Sequence, residues 1–130
     1  MAKTERSRAV ALADKWFSQY IRKSSCVAGD TAQCFTCGKH GHWKYEMQAG
    51  HFQSRHKYST RWSEKNVRSQ CPRCNVTNGG QQYVFGLNLD SVFGPGTATE
   101  MVQKGMEIKK LSTREIVDIA NEYKEKFNSL

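Results

Sequence analysis

From Ser7 to Ser24 the apolar residues Val10, Ala13, Trp16, Phe17, Tyr20 and Ile21 recur at intervals of three and four, the helical period. Lys15, Arg22 and Lys23 fall on other faces. The spacing predicts an amphipathic helix over residues 7–24, preceded by a polar, frayed stretch 1–8. Residues 24–33, with Ser24, Ser25, Gly29 and Asp30, read as a loop. Trp43 to Phe52 reads as extended, although Gly41 and Gly50 weaken it as a regular strand. Ser54 to Ser63 is polar and basic and is expected to turn into a second short strand near Arg61-Trp62. Cys71 to Asn78 reads as a short helix, with Pro72 at a first position that needs no N–H and Gly79-Gly80 as its stop.

Beyond residue 80, Tyr83, Val84, Leu87 and Phe93 lie at helix-like spacing, and Gly94-Pro95-Gly96 breaks the pattern. Thr97-x-x-Glu100 is a capping-box sequence for a helix to about Lys110, and Ser112-x-x-Glu115 is a second, for a helix to about Asn128. Ile116, Ile119, Ala120, Tyr123 and Phe127 line one face of the last helix. The sum is an α+β chain, mainly helical, in one domain over residues 1–130. Its parts are a leading helix at 7–24, a small ββα core at 34–80 and C-terminal helices at 81–130.

Composition limits how such a chain is held together. It has 130 residues, 38% of them hydrophobic, so the core is modest and gains from a staple. No apolar run approaches the roughly 20 residues of a membrane span. The run Ala9-Val10-Ala11-Leu12-Ala13 is too short for a signal sequence, so the expectation is a protein with no membrane association, kept in a reducing cytoplasm. In that setting five cysteines, an odd count that includes two Cys-x-x-Cys pairs, indicate metal rather than disulfides.

Cys34-x-x-Cys37 and Cys71-x-x-Cys74 are separated by 33 residues. A Cys-x-x-Cys turn sets two thiolates on one side of a tight loop, and two such turns give two edges of the tetrahedron that zinc prefers. Gly38 suits a knuckle whose chain needs positive φ. Zinc is favoured over a redox pair or an iron–sulfur cluster. With cysteine at all four positions no open site remains, so this zinc is structural. Cys26 is left over as a free thiol.

Candidate chemistry lies between and just after the pairs. Hydrolysing a phosphodiester needs a base for water, a hard divalent cation and cationic groups to hold the strand. His51 can be the base, Asn75 can offer its side-chain oxygen to Mg²⁺ or Mn²⁺, and Asn66 can fix a loop or the histidine ring. Arg55, Lys57, Arg61, Arg68 and Arg73 can grip phosphates. Singly, each has an ordinary structural explanation; together with the cysteine frame they favour catalysis. Residues 39–73 carry eight basic and two acidic residues, +6 of the chain's +8, whereas 97–130 carries six of each. The excess therefore tracks the proposed chemistry and predicts salt-dependent, weakly sequence-specific DNA binding. Trp43, Tyr45, Tyr58 and Trp62 are candidates to stack on bases, with at least two expected in the core.

The order Cys34-Phe-Thr-Cys37, His51, Asn66, Cys71-Pro-Arg-Cys74-Asn75 resembles the zinc-stapled branch of the HNH (His-Me finger) nucleases. The stretches Gln48-Ala-Gly-His-Phe-Gln-Ser-Arg55, Ser59-Thr-Arg-Trp62 and Asn66 to Asn75, with the leading Asp14-Lys-Trp-Phe-Ser-Gln-Tyr-Ile-Arg22, are similar to the NinG (Rap) family of lambdoid-phage recombination proteins. The resemblance covers most of residues 12–127. It implies a treble-clef-like, zinc-stapled ββα-metal core and a structure-specific endonuclease for branched DNA, such as Holliday junctions and D-loops. It further implies His51 as general base, Asn75 as ligand of the catalytic ion, Asn66 as the loop-fixing residue and the four cysteines as structural zinc ligands. Many HNH enzymes carry a metal-binding Asp or His just before the catalytic histidine, where this chain has Gly50; His56 or Glu46 is then a candidate ligand, or water fills the position. Two-fold junctions suit a homodimer, formed through the terminal helices. The competing expectations are a zinc-stapled nucleic-acid-binding module without cleavage, and a recombination mediator that docks a protein on 97–130.

Overall fold

A computed structural model describes residues 3–130. Helix α1 spans Glu5–Ser24 and is followed by β1 (Cys26–Ala28), β2 (Thr31–Gln33), β3 (His40–His42), β4 (Gln48–His51) and β5 (Val67–Gln70). A π-helical turn, Arg73–Thr77, leads into α2 (Gln82–Phe93), α3 (Thr97–Gly105) and α4 (Thr113–Asn128). Helix makes up about 49% of the described residues, and the rest of their regular structure is two small antiparallel sheets, β1-β2-β3 and β4-β5. Among the described residues no helix is long and apolar enough to cross a membrane.

Helix α1 starts earlier than the apolar pattern alone requires. The Thr4 side chain accepts a hydrogen bond from the Ser7 amide, with Glu5 in the first turn and Arg22 and Lys23 in the last, so both ends suit the helix dipole. The stretch expected to fray is therefore helical from Glu5. Ala9, Ala13, Phe17 and Ile21 are buried at every fourth position and meet Ile116, Ala120 and Tyr123 of α4 in one core. Phe17 and Tyr123 pack edge-on at 4.7 Å between centroids, and Trp62, Val67 and Leu111 complete this core. A second core gathers Ala32, Trp43 and Met47 around Cys34, Cys71 and Cys74, with Phe127 of α4 against it. Helix α4 thus touches both.

Several expected elements differ. Residues 24–33 are not a loop: β1 and β2 form a hairpin turned at Gly29, where φ is +53°. Only Gln48–His51 of the 43–52 stretch is a strand; the Glu46 amide returns to the His42 carbonyl in a turn. Arg61-Trp62 is not the partner strand, because their side chains turn to α1 and the chain stays in tight turns until β5. The helix expected over Cys71–Asn78 is a single π-helical turn with Pro72 at its N-cap. In α2 the face expected inside is outside: Tyr83 is 79% exposed, whereas Phe85 and Leu89 are fully buried. Ring contacts of Phe85 with Phe35 and Phe52 select that face.

The two capping-box sequences part company. Ser112 and Glu115 form the reciprocal pair at α4. At α3, Thr97 donates its hydroxyl to the Gly94 carbonyl, and Asp90 of α2 caps the Ala98 amide instead. Helix α3 ends at Gly105 rather than Lys110, where a side chain would run into Gln53.

Candidate metal centre and histidine site

The four pair cysteines converge. Their Sγ atoms all lie within 4.8 Å of one another, and Cys37 Sγ is 3.7 Å from Cys71 Sγ. A disulfide needs about 2.05 Å, whereas zinc–sulfur bonds of about 2.3 Å give tetrahedral edges near 3.8 Å. The first knuckle closes through Gly38, at φ +79°, whose amide bonds the Cys34 carbonyl. Cys34, Cys71 and Cys74 are buried and Cys37 is exposed. Burial pushes the Cys34 thiol up, but donors from the Thr36 hydroxyl and the local backbone outweigh it and bring it down to about 6. Burial and the neighbouring thiols push Cys74 up to about 12. Four crowded thiols of which one ionises readily make a donor set that a divalent cation completes by displacing the remaining protons. The cluster fits a structural metal such as zinc.

His51 ends β4. Pairing His51 with Val67 and Ala49 with Ser69 puts these four side chains on the face that meets α1. His51 Nε2 lies 3.2 Å from the Arg61 carbonyl oxygen. A carbonyl only accepts, so Nε2 carries the ring proton and Nδ1 is left as the basic nitrogen. Burial holds the His51 pKa below its usual value; the Arg55 charge acts the same way, and hydrogen bonding to the carbonyls of Arg61 and Ala49, with Asp14, opposes it. Burial thus favours the neutral ring. A cavity of about 130 Å³ opens beside it, lined by Asp14, Phe17, Ser18, Ala49, His51 and Arg55.

The loop between β4 and β5 is tied by Asn66, which is fully buried. Its Oδ1 accepts from the Gln53 amide at 2.7 Å, and its Nδ2 donates to the carbonyls of Gln53 and Thr60, each at 3.1 Å. The loop is also clamped to α1. Arg61 donates Nε and Nη2 to the two carboxylate oxygens of Asp14 at 3.0 and 2.6 Å, and Trp62 Nε1 donates to Asp14 Oδ1 at 3.0 Å. Sequence reasoning did not single out Asp14. The available signal was a carboxylate directly after the core residue Ala13, at the edge of an apolar stripe in a basic chain.

Asn75 lies on the other side of the sheet from His51. Its Nδ2 donates to Gln48 Oε1 at 2.9 Å, and Gln48 pairs with Gln70 on the face opposite Ala49 and His51. Gly50 shares that face and is a steric necessity. A Cβ there would sit 2.6 Å from Gln70 Cδ and closer still to its Oε1, and Gln70 is fixed by bonds from Nε2 to Thr36 and the Gly80 carbonyl. No metal-binding side chain fits at position 50. We expect Gly50→Ala to cost about 1–3 kcal/mol by overpacking, read as a lower urea midpoint with an unchanged slope; an unchanged midpoint would show that Gln70 is free to move.

The basic candidates divide. Arg55 and Arg73 are exposed, and Lys57 is half-buried, its Nζ on Gln53 Oε1. Arg61 is engaged by Asp14, so it is not free to grip a phosphate. Arg68 is likewise engaged: Nη1 bonds the Glu64 carbonyl, the guanidinium lies over Phe35 and Phe93, and burial lowers its pKa. His56 is exposed beside a separate cleft with Gly105 to Lys109, and the Glu46 carboxylate accepts from the His42 amide. Neither joins His51 or Asn75. Trp43 and Trp62 are core residues, Tyr58 is half-buried and packs on Trp62, and Tyr45 is 76% exposed.

Comparison with curated proteins and with solved structures gives no match. The sequence does match the family model described as Bacteriophage Lambda NinG protein, over residues 1–130. That match spans the cysteine cluster, the His51 strand and all the helices, and the chain belongs to the NinG family.

Proposed function

We propose that this NinG-family protein is a phage recombination endonuclease of HNH type that hydrolyses phosphodiesters in branched DNA. The observation that carries this reading is a half-buried histidine, His51, whose Nε2 is held by a carbonyl of a loop that Asn66 ties shut. A base needs its free nitrogen unprotonated and fixed in direction; burial favours the neutral ring, and the Arg61 carbonyl supports its orientation. Two short strands followed by a helical turn, with cysteine pairs at the outer ends, give the order expected of a zinc-stapled ββα core. The net charge of +6 over residues 39–73 supplies the attraction for DNA.

In the proposed reaction a water attacks phosphorus in line and passes its proton to His51 Nδ1. The bond from phosphorus to the 3′ oxygen breaks, leaving a 5′-phosphate and a 3′-hydroxyl that takes its proton from solvent. Arg55 and Arg73, the exposed arginines of the region, hold flanking phosphates. A divalent ion such as Mg²⁺ or Mn²⁺ would neutralise charge on the phosphate and the leaving oxygen; Asn75, the ligand that the sequence pattern offers, lies across the sheet from His51 with its amide on Gln48, so the proposal takes the ion to be held mainly by water and phosphate.

A second reading, a zinc-stapled DNA-binding module without cleavage, has one observation in its favour. Among the described residues the four cysteines are the one group of three or more His, Cys, Asp or Glu placed to hold an ion. Incubation of a labelled four-way junction and a matched linear duplex with Mg²⁺, Mn²⁺ or EDTA separates the two. Metal-dependent cutting of the junction, absent with EDTA, is the expected result. Junction binding with no cutting in either metal leaves the binding module.

A further inference from the structure

We propose that Asp14 of α1 is a positioning residue for His51: by gripping the Arg61-Trp62 turn it fixes the carbonyl that holds the histidine ring. The inference rests on the endonuclease reading for its functional consequence but not for its geometry. Three donors converge on one carboxylate, two from the Arg61 fork and one from the Trp62 indole. The pair is partly shielded from water, with the Arg61 and Asp14 side chains 12% and 31% exposed, so it exceeds an ordinary surface ion pair in strength and directionality. Arg61 uses its remaining terminal nitrogen, Nη1, on the Arg55 carbonyl at 2.8 Å. The fork therefore joins α1 to both sides of the bend that leads from His51.

Asn66 alone cannot set the Arg61 carbonyl. Its nearest bond is to the Thr60 carbonyl, one residue earlier; the Ser63 amide closes a turn onto the same carbonyl, and the Arg61–Trp62 peptide is the middle of that turn, the unit whose orientation distinguishes one turn type from another. Asp14 restrains that peptide from its far side, through the side chains of residues 61 and 62. The same carboxylate lines the cavity into which His51 opens, so α1 contributes both a wall and a brace. The charged groups around the ring are Asp14 from α1 and Arg55 and Arg61 from the loop; its β5 partner Val67 brings none.

The test is ¹⁵N NMR of the His51 side chain across pH, in the unmodified protein, Asp14→Ala and Asp14→Asn, with single-turnover junction cleavage on the same samples. The unmodified ring is expected as the Nε2–H tautomer. In Asp14→Ala the Nδ1–H form should appear, and cleavage should fall about 10- to 100-fold, as for a base released from its direction, with junction affinity within about twofold. Asp14→Asn keeps one acceptor and should fall between. An unaltered tautomer and titration in Asp14→Ala overturns the proposal. If Asp14→Ala does not fold, Asp14→Asn and Arg61→Lys carry the same comparison, and no tautomer shift in either overturns it. If the unmodified protein cuts no junction, the endonuclease reading fails while the tautomer still decides whether Asp14 positions His51.

Discussion

His51→Ala should lower junction cleavage by about 10²- to 10⁴-fold, the usual contribution of a positioned general base, while binding to the same junction persists. The asymmetry follows from where the charge lies. Burial disfavours a charge on His51, so its removal should take little from the attraction for phosphates expected of Arg55, Arg73 and the other basic side chains. Acidity gives a second readout of the same residue. Its pKa is depressed from the usual histidine value, burial being the largest cause, so cleavage should rise with pH through a midpoint below about 6.5 and be level by neutrality. The stability sign agrees. The unfolded chain binds a proton at His51 that the folded chain resists, so stability falls as pH drops through the unfolded value and rises towards neutrality. A cleavage profile that still climbs above pH 7, or a His51→Ala protein that cuts normally, would remove His51 from the role of base.

Stripping the metal is expected to be more damaging still. Structural zinc contributes about 10–16 kcal/mol of apparent binding energy in small domains, which rivals the whole stability of a chain this size, about 5–15 kcal/mol. The second core consists largely of the ligands themselves: Cys34, Cys71 and Cys74 with Ala32, Trp43 and Met47. Without an ion, three crowded thiols are left among apolar neighbours with the exposed Cys37 beside them, and β4-β5 loses the knuckles at its outer ends. Native mass spectrometry should find one zinc per chain. Chelation, or Cys71→Ser, should abolish the near-ultraviolet dichroism of Trp43 and lower the melting temperature by tens of degrees, whereas Cys26→Ser should retain the ion. A chain that melts at the same temperature with and without chelator would exclude a structural role for the cluster.

Much of this was legible from residue types at fixed spacing. The four cysteines meet because each Cys-x-x-Cys brings its own knuckle, and the buried faces of α1 and α4 follow from the three-and-four period. Short strands were harder. Cys26–Ala28 and Thr31–Gln33 are three residues each, too short to show an alternation, and their hairpin is held by packing on the metal-side core. The inverted face of α2 has the same origin. Both of its sides are apolar in sequence, and only the aromatic contacts with Phe35 and Phe52 choose between them. At the candidate site, His51, Asn66 and Asn75 were visible as letters in a pattern, but their surroundings were not. Whether an arginine is free depends on partners far along the chain: Asp14 lies 47 residues before Arg61. Nor does a local pattern announce that Gln70 fills the space at Gly50.

The pairing of α1 with α4 bears on how the chain is made. Ala9, Ala13, Phe17 and Ile21 leave the ribosome well ahead of their cover, Ile116, Ala120 and Tyr123. At on the order of 5–20 residues per second, that apolar stripe waits several seconds for its partner. Until then Asp14 has no settled helix from which to hold Arg61. A nascent chain has all four clustered cysteines as soon as Cys74 emerges, but the contact of Asp14 with Arg61 waits for α1 and α4 to close on each other. The clamp from Asp14 to Arg61 and Trp62 is therefore completed only after α4 has emerged.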